Sequence, residues 1–446
     1  MPFTHDNLMA EEDHQFVSDE SVDDEEVQNP PAYDRPSSSS RQTPTRSPIA
    51  DRHNATTASC NIRDLGGTVK VTLCVAQPPL VSYLCVHVVS PFVHKECFSV
   101  EPQIIATETD GGLVLLRLAI GEHPPDVTIP FYYGQYFMYD ASGPSLEHLP
   151  HPGYYRFDEH SVAIVRKCSN RSSQEDHDCS SICVYVLAAQ SCGFGYAESP
   201  HLILYHSDTK TWRKVPVIAK SYPTHSSTDK TLTIGGDKGT VAWVDLWRNI
   251  LLCDVLDERP VLRTLMPMLI MVADDLVSNN PRSVRDIAVL GGGYIRYVEL
   301  QYRLVEQGLP GHSFYYIWKV AVWSIDTAGT TSSSSEEDWH IVYLINSTEI
   351  PGSSLPRLQV DEGKPQPTLS SLHIGLPNLS LQDDDIVYFL TKSDFLVNTQ
   401  IAWVLAIDMR NKTVQDVGEF NSMRTGLESG YSASRISKYL KAAQCN

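Results

Sequence analysis

Between Ala55 and Val417 the chain is a succession of short apolar, β-branched runs, each closed by a turn cluster. That rhythm constrains the fold more than any other feature, because a strand-length apolar run bounded by Gly, Pro, Asn, Asp or Ser leaves no room for a helix. Val69–Val75 and Ser82–Val89 flank Pro78-Pro79. Leu113–Ile120 follows Asp110-Gly111-Gly112, and Tyr136–Tyr139 leads to Gly143-Pro144. Val162–Arg166, Cys183–Ala189, Thr231–Ile234, Thr240–Leu246 and Ile250–Leu256 continue the series. Arg285–Val289 and Tyr294–Leu300 flank three glycines, and Trp318–Ile325 and Trp339–Ile345 flank a Ser-rich stretch. Ile386–Leu390 and Ile401–Ile407 follow.

One hairpin pattern recurs. LILYHSDTKTWRKVPV (Leu202–Val217) and WVLAIDMRNKTVQDVGEF (Trp403–Phe420) each carry an apolar strand ending near an Asp, a polar turn, and a returning strand. MYDASGPSLEHLP (Met138–Pro150) is a looser copy, and LLCDVLDERPVLRTLMP (Leu251–Pro267) a fourth. The strands group into units of roughly 45–65 residues, each a small antiparallel sheet. Such a sheet has two apolar faces and cannot stand alone, whereas stacked neighbours cover both. The expected fold is all-β: a β-propeller-like domain of about six blades over residues 54–430, with a large β-sandwich as the alternative.

The net charge is −19, and residues 1–50 hold 11 acidic against 3 basic side chains. Self-repulsion, followed by the Pro/Ser-rich run after Asn29, leaves too little apolar surface to offset the entropy of ordering, so residues 1–53 read as a disordered tail. Thr43-Pro44 and Ser47-Pro48 within it are short proline-directed phosphorylation patterns, and a plain linker explains them as well. Residues 431–446 form a short C-terminal tail, with helix-compatible spacing over Ser432–Ala443. An acidic surface repels phosphate backbones, which argues against nucleic acid as a partner. No 18-residue apolar run is present, which argues against a membrane span. Ten cysteines behind an N-terminus with no leader pattern suit reduced thiols and an intracellular, cytoplasmic or nuclear, setting. In that setting the five Asn-x-Ser/Thr matches, from Asn54 to Asn411, carry no meaning.

Motifs that would bring chemistry are missing from the sequence. It has no Gly-x-Ser-x-Gly elbow, no phosphate loop and no dinucleotide fingerprint, so no catalytic residue and no cofactor is expected. Cys168, Cys179, Cys183 and Cys192 with His177 match no zinc spacing, and His148, His151 and His160 are interrupted by prolines. Asp254, Asp257 and Glu258, and the run Asp383–Asp385, suit turns better than an acid–base pair in contrasting environments. Arg282 and Arg285, beside Asp286, suit ion pairs between strands. The remaining candidates are aromatic. Trp243 and Trp247 are placed four apart in one strand, so on one face, in the core or as a ligand shelf. Tyr132, Tyr133, Tyr136 and Tyr139 are candidates for an exposed recognition rim.

The segment Gly239–Leu265, GTVAWVDLWRNILLCDVLDERPVLRTL, resembles a plant family defined by domain of unknown function 1618, above all in Asp245-Leu246-Trp247-Arg248 and Leu251-Leu252-Cys253-Asp254. The likeness continues through Pro281–Leu300, with weaker echoes at Asn54–Cys60, Pro78–Val88, Gly143–Gly153 and Glu336–Ile350. The family usually carries an aromatic-rich strand before the Asn-Ala-Thr segment; here Pro36 to Pro48 occupies that place, so the first blade is expected to lack a strand. Asn249 stands where the family commonly has Gly. The resemblance brings over no catalytic residue. The expected function is a non-catalytic scaffold that binds a protein partner. The alternative is a hydrolase-type enzyme with a pocket on the propeller axis.

Overall fold

Apolar runs that alternate, or that are buried on both sides, become strands as expected, and they pair with their neighbours in sequence. The computed structural model of the chain describes residues 53–62, 66–90, 98–109, 112–120, 134–167, 184–191, 200–219, 227–265, 280–291, 293–306, 314–327, 339–358, 360, 366–393, 401–421 and 433–439. All of them belong to one unit, Ile49–Asn446. The tail expected over residues 1–53 lies outside the described residues except for His53. So do Tyr132, Tyr133 and the cysteine group from Cys168 to Cys183 with Cys192.

Six sheets follow one another along the chain, none of them closed on itself. The first holds β1 (Ala58–Ile62), β2 (Gly67–Cys74) and β3 (Tyr83–Val89). The second holds β4 (Phe98–Thr107), β5 (Leu113–Ile120), β6 (Gln135–Asp140) and β7 (Ser145–His148). The third holds β8 (Ala163–Lys167), β9 (Val184–Gln190), β10 (His201–His206) and β11 (Thr211–Pro216). After the two-residue β12 (Ile218–Ala219) come β13 (Lys230–Gly235), β14 (Thr240–Asp245), β15 (Asn249–Asp254) and β16 (Val261–Leu265) of the fourth. The fifth is β17 (Arg285–Leu290), β18 (Tyr294–Glu306), β19 (Phe314–Asp326) and β20 (His340–Asn346). The sixth is β21 (His373–Leu379), β22 (Ile386–Lys392), β23 (Ile401–Asp408) and β24 (Thr413–Asn421). Every pairing is antiparallel between consecutive strands, except that β12 adds parallel to the outer edge of the fourth sheet through Ile218 and Val261. Among the described residues the helical elements are short 3-10 turns, and no helix is long and apolar enough to cross a membrane.

Side-chain alternation sends the two faces of a sheet to different neighbours. In β5 all eight residues are buried. Val114, Leu116 and Leu118 pack on the first sheet, while Leu113 and Leu115 pack on the third. Val165, Val186 and Leu202 of the third sheet meet Val241, Trp243 and Leu251 of the fourth. Ala242, Val244 and Leu252 meet Ile287, Tyr297 and Trp323 of the fifth. Val298, Trp318 and Val320 then meet Phe389, Trp403 and Leu405 of the sixth. Leu390, Ala402 and Val404, on the sixth sheet's other face, receive Val81 from the β2–β3 connection.

Two expectations are corrected. Trp247 is not in a strand: β14 ends at Asp245, whose carboxylate accepts the Trp247 N–H at 3.0 Å and turns the chain. Trp243 and Trp247 therefore share no strand face. Tyr136 and Tyr139 are not on a rim; both are buried in β6, Tyr136 near Phe157 and Tyr139 donating its hydroxyl to the Thr56 carbonyl. The C-terminal segment, expected as a short tail or helix, makes a 3-10 turn at Ile436–Tyr439, and residues 440–446 lie outside the described ones. Among the described residues the first sheet has three strands, and Pro36 to Pro48, where the family carries its extra strand, lie outside them.

Candidate functional site

The densest group of buried charge lies where the fourth, fifth and sixth sheets meet. Its position follows from register. Arg285 begins β17 and stands directly across from Glu299 of β18, which places two long charged side chains side by side at the start of a first strand. Both are almost fully buried, and Arg285 Nη2 lies 3.4 Å from Glu299 Oε2. Arg285 Nη1 donates to the Leu246 carbonyl at 2.9 Å, and the guanidinium carbon stands 4.2 Å from the Trp247 ring centroid. A flat cation over an indole is an attractive arrangement. The β14–β15 turn of the fourth sheet is thus held against the fifth by one arginine.

The next residue makes a second tie. Asp286 Oδ1 pairs with Lys230 of β13 at 2.6 Å, while Oδ2 accepts the Leu379 N–H of β21 at 3.0 Å. One carboxylate thereby joins the first strands of three successive sheets. Asp229 caps the same turn by accepting the Leu246 N–H at 2.8 Å, and burial holds its carboxyl above the usual range. Burial likewise raises the Glu299 carboxyl, with the Arg285 cation and the Gln301 amide opposing that shift. Arg285 Nε and Glu299 Oε2 have no hydrogen-bond partner among the described residues, although the two groups face each other as an ion pair.

Four carboxylates (Asp229, Asp245, Asp286, Glu299) and the cations Lys230, Arg248 and Arg285 fill this cluster. Arg285 and Asp286 carry the ties from sheet to sheet, while Arg285–Glu299, Asp245–Arg248 and Asp229–Leu246 are contacts within one sheet or turn. The arrangement therefore orients strands and holds Trp247 half-buried at the surface end of a rigid turn.

The other expected candidates disperse. Trp243 is fully buried and its indole N–H donates to the Ser161 carbonyl at 2.6 Å, so it fastens the fourth sheet to the third. His148 stacks on Phe137 with centroids 4.9 Å apart, and His151 Nδ1 accepts the Gly153 N–H. Asp254 accepts from Thr240 and Arg263, and Asp257 pairs with Lys238. Asp385 pairs with Arg410 at 2.9 Å and accepts the Tyr343 hydroxyl. Among the described residues no group of three or more His, Cys, Asp or Glu side chains is placed to hold a metal ion. Glu299 and Lys230 escaped the sequence reading, because nothing in a linear sequence says which strand lies across from Arg285. The adjacent pair Arg285-Asp286 was the available signal.

Successive antiparallel meanders of three or four strands, packed face to face, define the described chain as an all-β protein built from consecutive sheets. Residues 243–388 match the family model described as "Protein of unknown function (DUF1618)", and over that segment the chain is similar to this family. The matched segment contains Trp247, Arg285, Asp286, Glu299 and Leu379. No curated protein matches the chain.

Proposed function

We propose that the six sheets form a propeller-like ring, and that the ring is a non-catalytic scaffold binding a protein partner through the connections between second and third strands. One observation carries the ring. Each of the middle four sheets is packed on both faces, against the sheet before and the sheet after it, and the β2–β3 connection meets the outer face of the sixth. A sandwich would pair sheets two by two and leave one face of each to solvent. The first strands β4, β8, β13, β17 and β21 also touch in turn, as strands around a common axis would.

The scaffold reading rests on how the described buried charges are used. They tie sheet to sheet and fix a rigid frame, and recognition residues on rigid frames sit in the connections. Trp247 lies in such a connection of the fourth sheet. Tyr132 and Tyr133 fall in the equivalent connection of the second, residues 121–133. Aromatic side chains held by a frame are the usual anchors of protein–protein contacts.

The test is affinity capture with the full chain and with Trp247→Ala, read by mass spectrometry. The expected result is a reproducible partner that Trp247→Ala loses. That variant keeps its fold, since removing a half-buried turn residue costs about 1–2 kcal/mol. Trp243→Ala, by contrast, empties a core site and costs about 3–5 kcal/mol. Recovery of no reproducible partner, or a partner indifferent to Trp247, overturns the proposal. So does hydrolysis of model ester or peptide substrates that survives repurification.

A further inference from the structure

We infer that Cys74 and Cys85 form an oxidant-sensitive dithiol, a modification site at the base of the hairpin that meets the sixth sheet. The two residues lie on β2 and β3, where Thr72 pairs with Cys85 and Cys74 with Tyr83. Register therefore makes them diagonal neighbours on one face of the sheet. Their sulfur atoms are 3.7 Å apart, both thiols reduced. A disulfide needs about 2.05 Å between sulfurs and side chains that point toward each other. Diagonal neighbours stand about 7–8 Å apart, at the outer limit of a disulfide's span, so bond formation draws the two strands slightly together as the side chains rotate.

The two thiols differ in access. Cys74 is half-buried, whereas Cys85 is buried at 8 % exposure. A peroxide reaches Cys74 first. Its thiolate attacks the O–O bond, one oxygen stays on sulfur as a sulfenic acid, and the other leaves as hydroxide, which takes up a proton to become water. Cys85 sulfur then attacks the Cys74 sulfur; the S–O bond breaks, the S–S bond forms, and the Cys85 proton leaves with the hydroxyl as a second water. Two thiols lose two electrons and two protons to one peroxide, which is reduced to two waters. Cys253 provides the contrast within this molecule: fully buried in β15, its thiol is pushed up to about 12 by desolvation, which keeps it protonated and unreactive.

What lies above the dithiol gives its oxidation a consequence. The β2–β3 connection is braced by Ser82, whose hydroxyl accepts the Ala76 N–H at 3.0 Å, and by Leu80 N–H donating to the Gln77 carbonyl at 2.9 Å. Its tip rests on the sixth sheet. Val81 packs on Leu390, Ala402 and Val404, and a Cβ on Gly418 of β24 would lie 2.7 Å from the Pro79 carbonyl oxygen. A Cys74–Cys85 bond closes the short loop that presents this tip, and so removes freedom from the chain before it docks. Oxidation therefore strengthens the contact between the first and last sheets. The inference stands on the hairpin's own geometry, whatever function the whole serves.

The experiment treats the full chain with hydrogen peroxide, blocks remaining thiols with iodoacetamide, and maps peptides without reduction. The expected product is a peptide pair joined through Cys74 and Cys85, lighter than its reduced form by about 2 Da. The oxidised protein melts several degrees higher than the reduced one, and this gain disappears in Cys74→Ser and in Cys85→Ser. The mapping needs no variant, so a serine substitution that fails to fold leaves it intact. Full alkylation of both residues after oxidation, a Cys74 bridged to some other cysteine, or over-oxidation of Cys74 to the sulfinic acid beside an intact Cys85 thiol each overturns the dithiol. A linked pair with an unchanged melting temperature overturns the stabilising contact.

Discussion

Arg285 shows at the scale of a single residue why buried charge in this chain belongs to the frame. A guanidinium at 1 % exposure is tolerated because Glu299, the Leu246 carbonyl and the Trp247 ring replace the water it loses. Breaking such a pair from one side is costly, because the partner stays behind uncompensated. Arg285→Met is expected to destabilise the fold by about 3–5 kcal/mol at pH 7. The sign of the pH dependence follows from Glu299. Desolvation already raises its carboxyl, and Arg285 is the largest opposing influence. Without the arginine the folded-state pKa rises further above the ordinary value near 4.5. The folded protein then binds that proton more tightly than the unfolded chain does, so the contribution is complete below pH 4.5 and is lost as pH rises through the folded value. Urea titrations of variant and wild type at pH 7 and pH 5 check this. The deficit of Arg285→Met shrinks at pH 5, and a deficit that is equal or larger there contradicts the assignment. The sequence disclosed half of this cluster: Arg285 beside Asp286 reads as pairing across strands, but the identities of Glu299 and Lys230 depend on registers that only the folded sheet sets.

At the scale of elements, the hairpins were legible because their turns carry local chemistry. Asp140 and Asp408 each accept, through Oδ1, the N–H two residues on, and Asp208 accepts from the residue next to it. Side-chain acceptors of this kind fix a turn without help from the rest of the fold. All four hairpins read from the sequence are present, β6–β7, β10–β11, β15–β16 and β23–β24. Of the strands left unread, β1, β4, β12 and β21, two are irregular. β4 contains Pro102 and three register shifts against β5, and β21 contains Pro377, a register shift and Leu376 in the left-handed region at φ 48°. Such strands lack clean alternation, and their pairing is enforced by neighbours. Gly239, between β13 and β14, is an element whose residue type was readable and whose neighbours were not. Its φ is +61°, and an added Cβ would lie 2.7 Å from Leu256 Cγ and 2.8 Å from Val165 Cγ1 of the third sheet. Gly239→Ala is expected to cost about 2–4 kcal/mol, from backbone strain plus overpacking. Gly143→Ala, with no atom within 4 Å of its Cβ and no left-handed φ, is expected to shift stability by less than about 0.5 kcal/mol. Chemical denaturation of the two variants side by side separates these outcomes, and equal effects would remove the steric account of Gly239.

For the molecule as a whole, the order of sheets was readable because each sheet is made from consecutive strands, whereas the joining of last to first was not, because it depends on segments far apart in sequence. Two contacts make that joining. One is the β2–β3 connection on the sixth sheet. The other is the C-terminal turn, where Arg435 Nε donates to the Leu381 carbonyl before β22 while Ile436 packs into the core between the first and second sheets. Tyr439 stands beside the Glu108–Arg166 ion pair; a Cβ on Gly112 would lie 2.9 Å from its hydroxyl and 2.7 Å from Arg166 Nη2. The turn so reaches from the sixth sheet to the second and third. An open row of stacked sheets would leave its end sheets the least protected, since each interior sheet is braced on two sides and an end sheet on one. If the sheets close as proposed, deleting residues 433–446 turns the ring toward that open row. Hydrogen exchange is then expected to rise first in β1–β3 and β21–β24, with β13–β16 of the fourth sheet keeping wild-type protection. Exchange that rises equally in all six sheets would mean that the C-terminal turn supports the frame generally and has no special part in joining its ends. Exchange unchanged everywhere would leave the join to the β2–β3 connection alone.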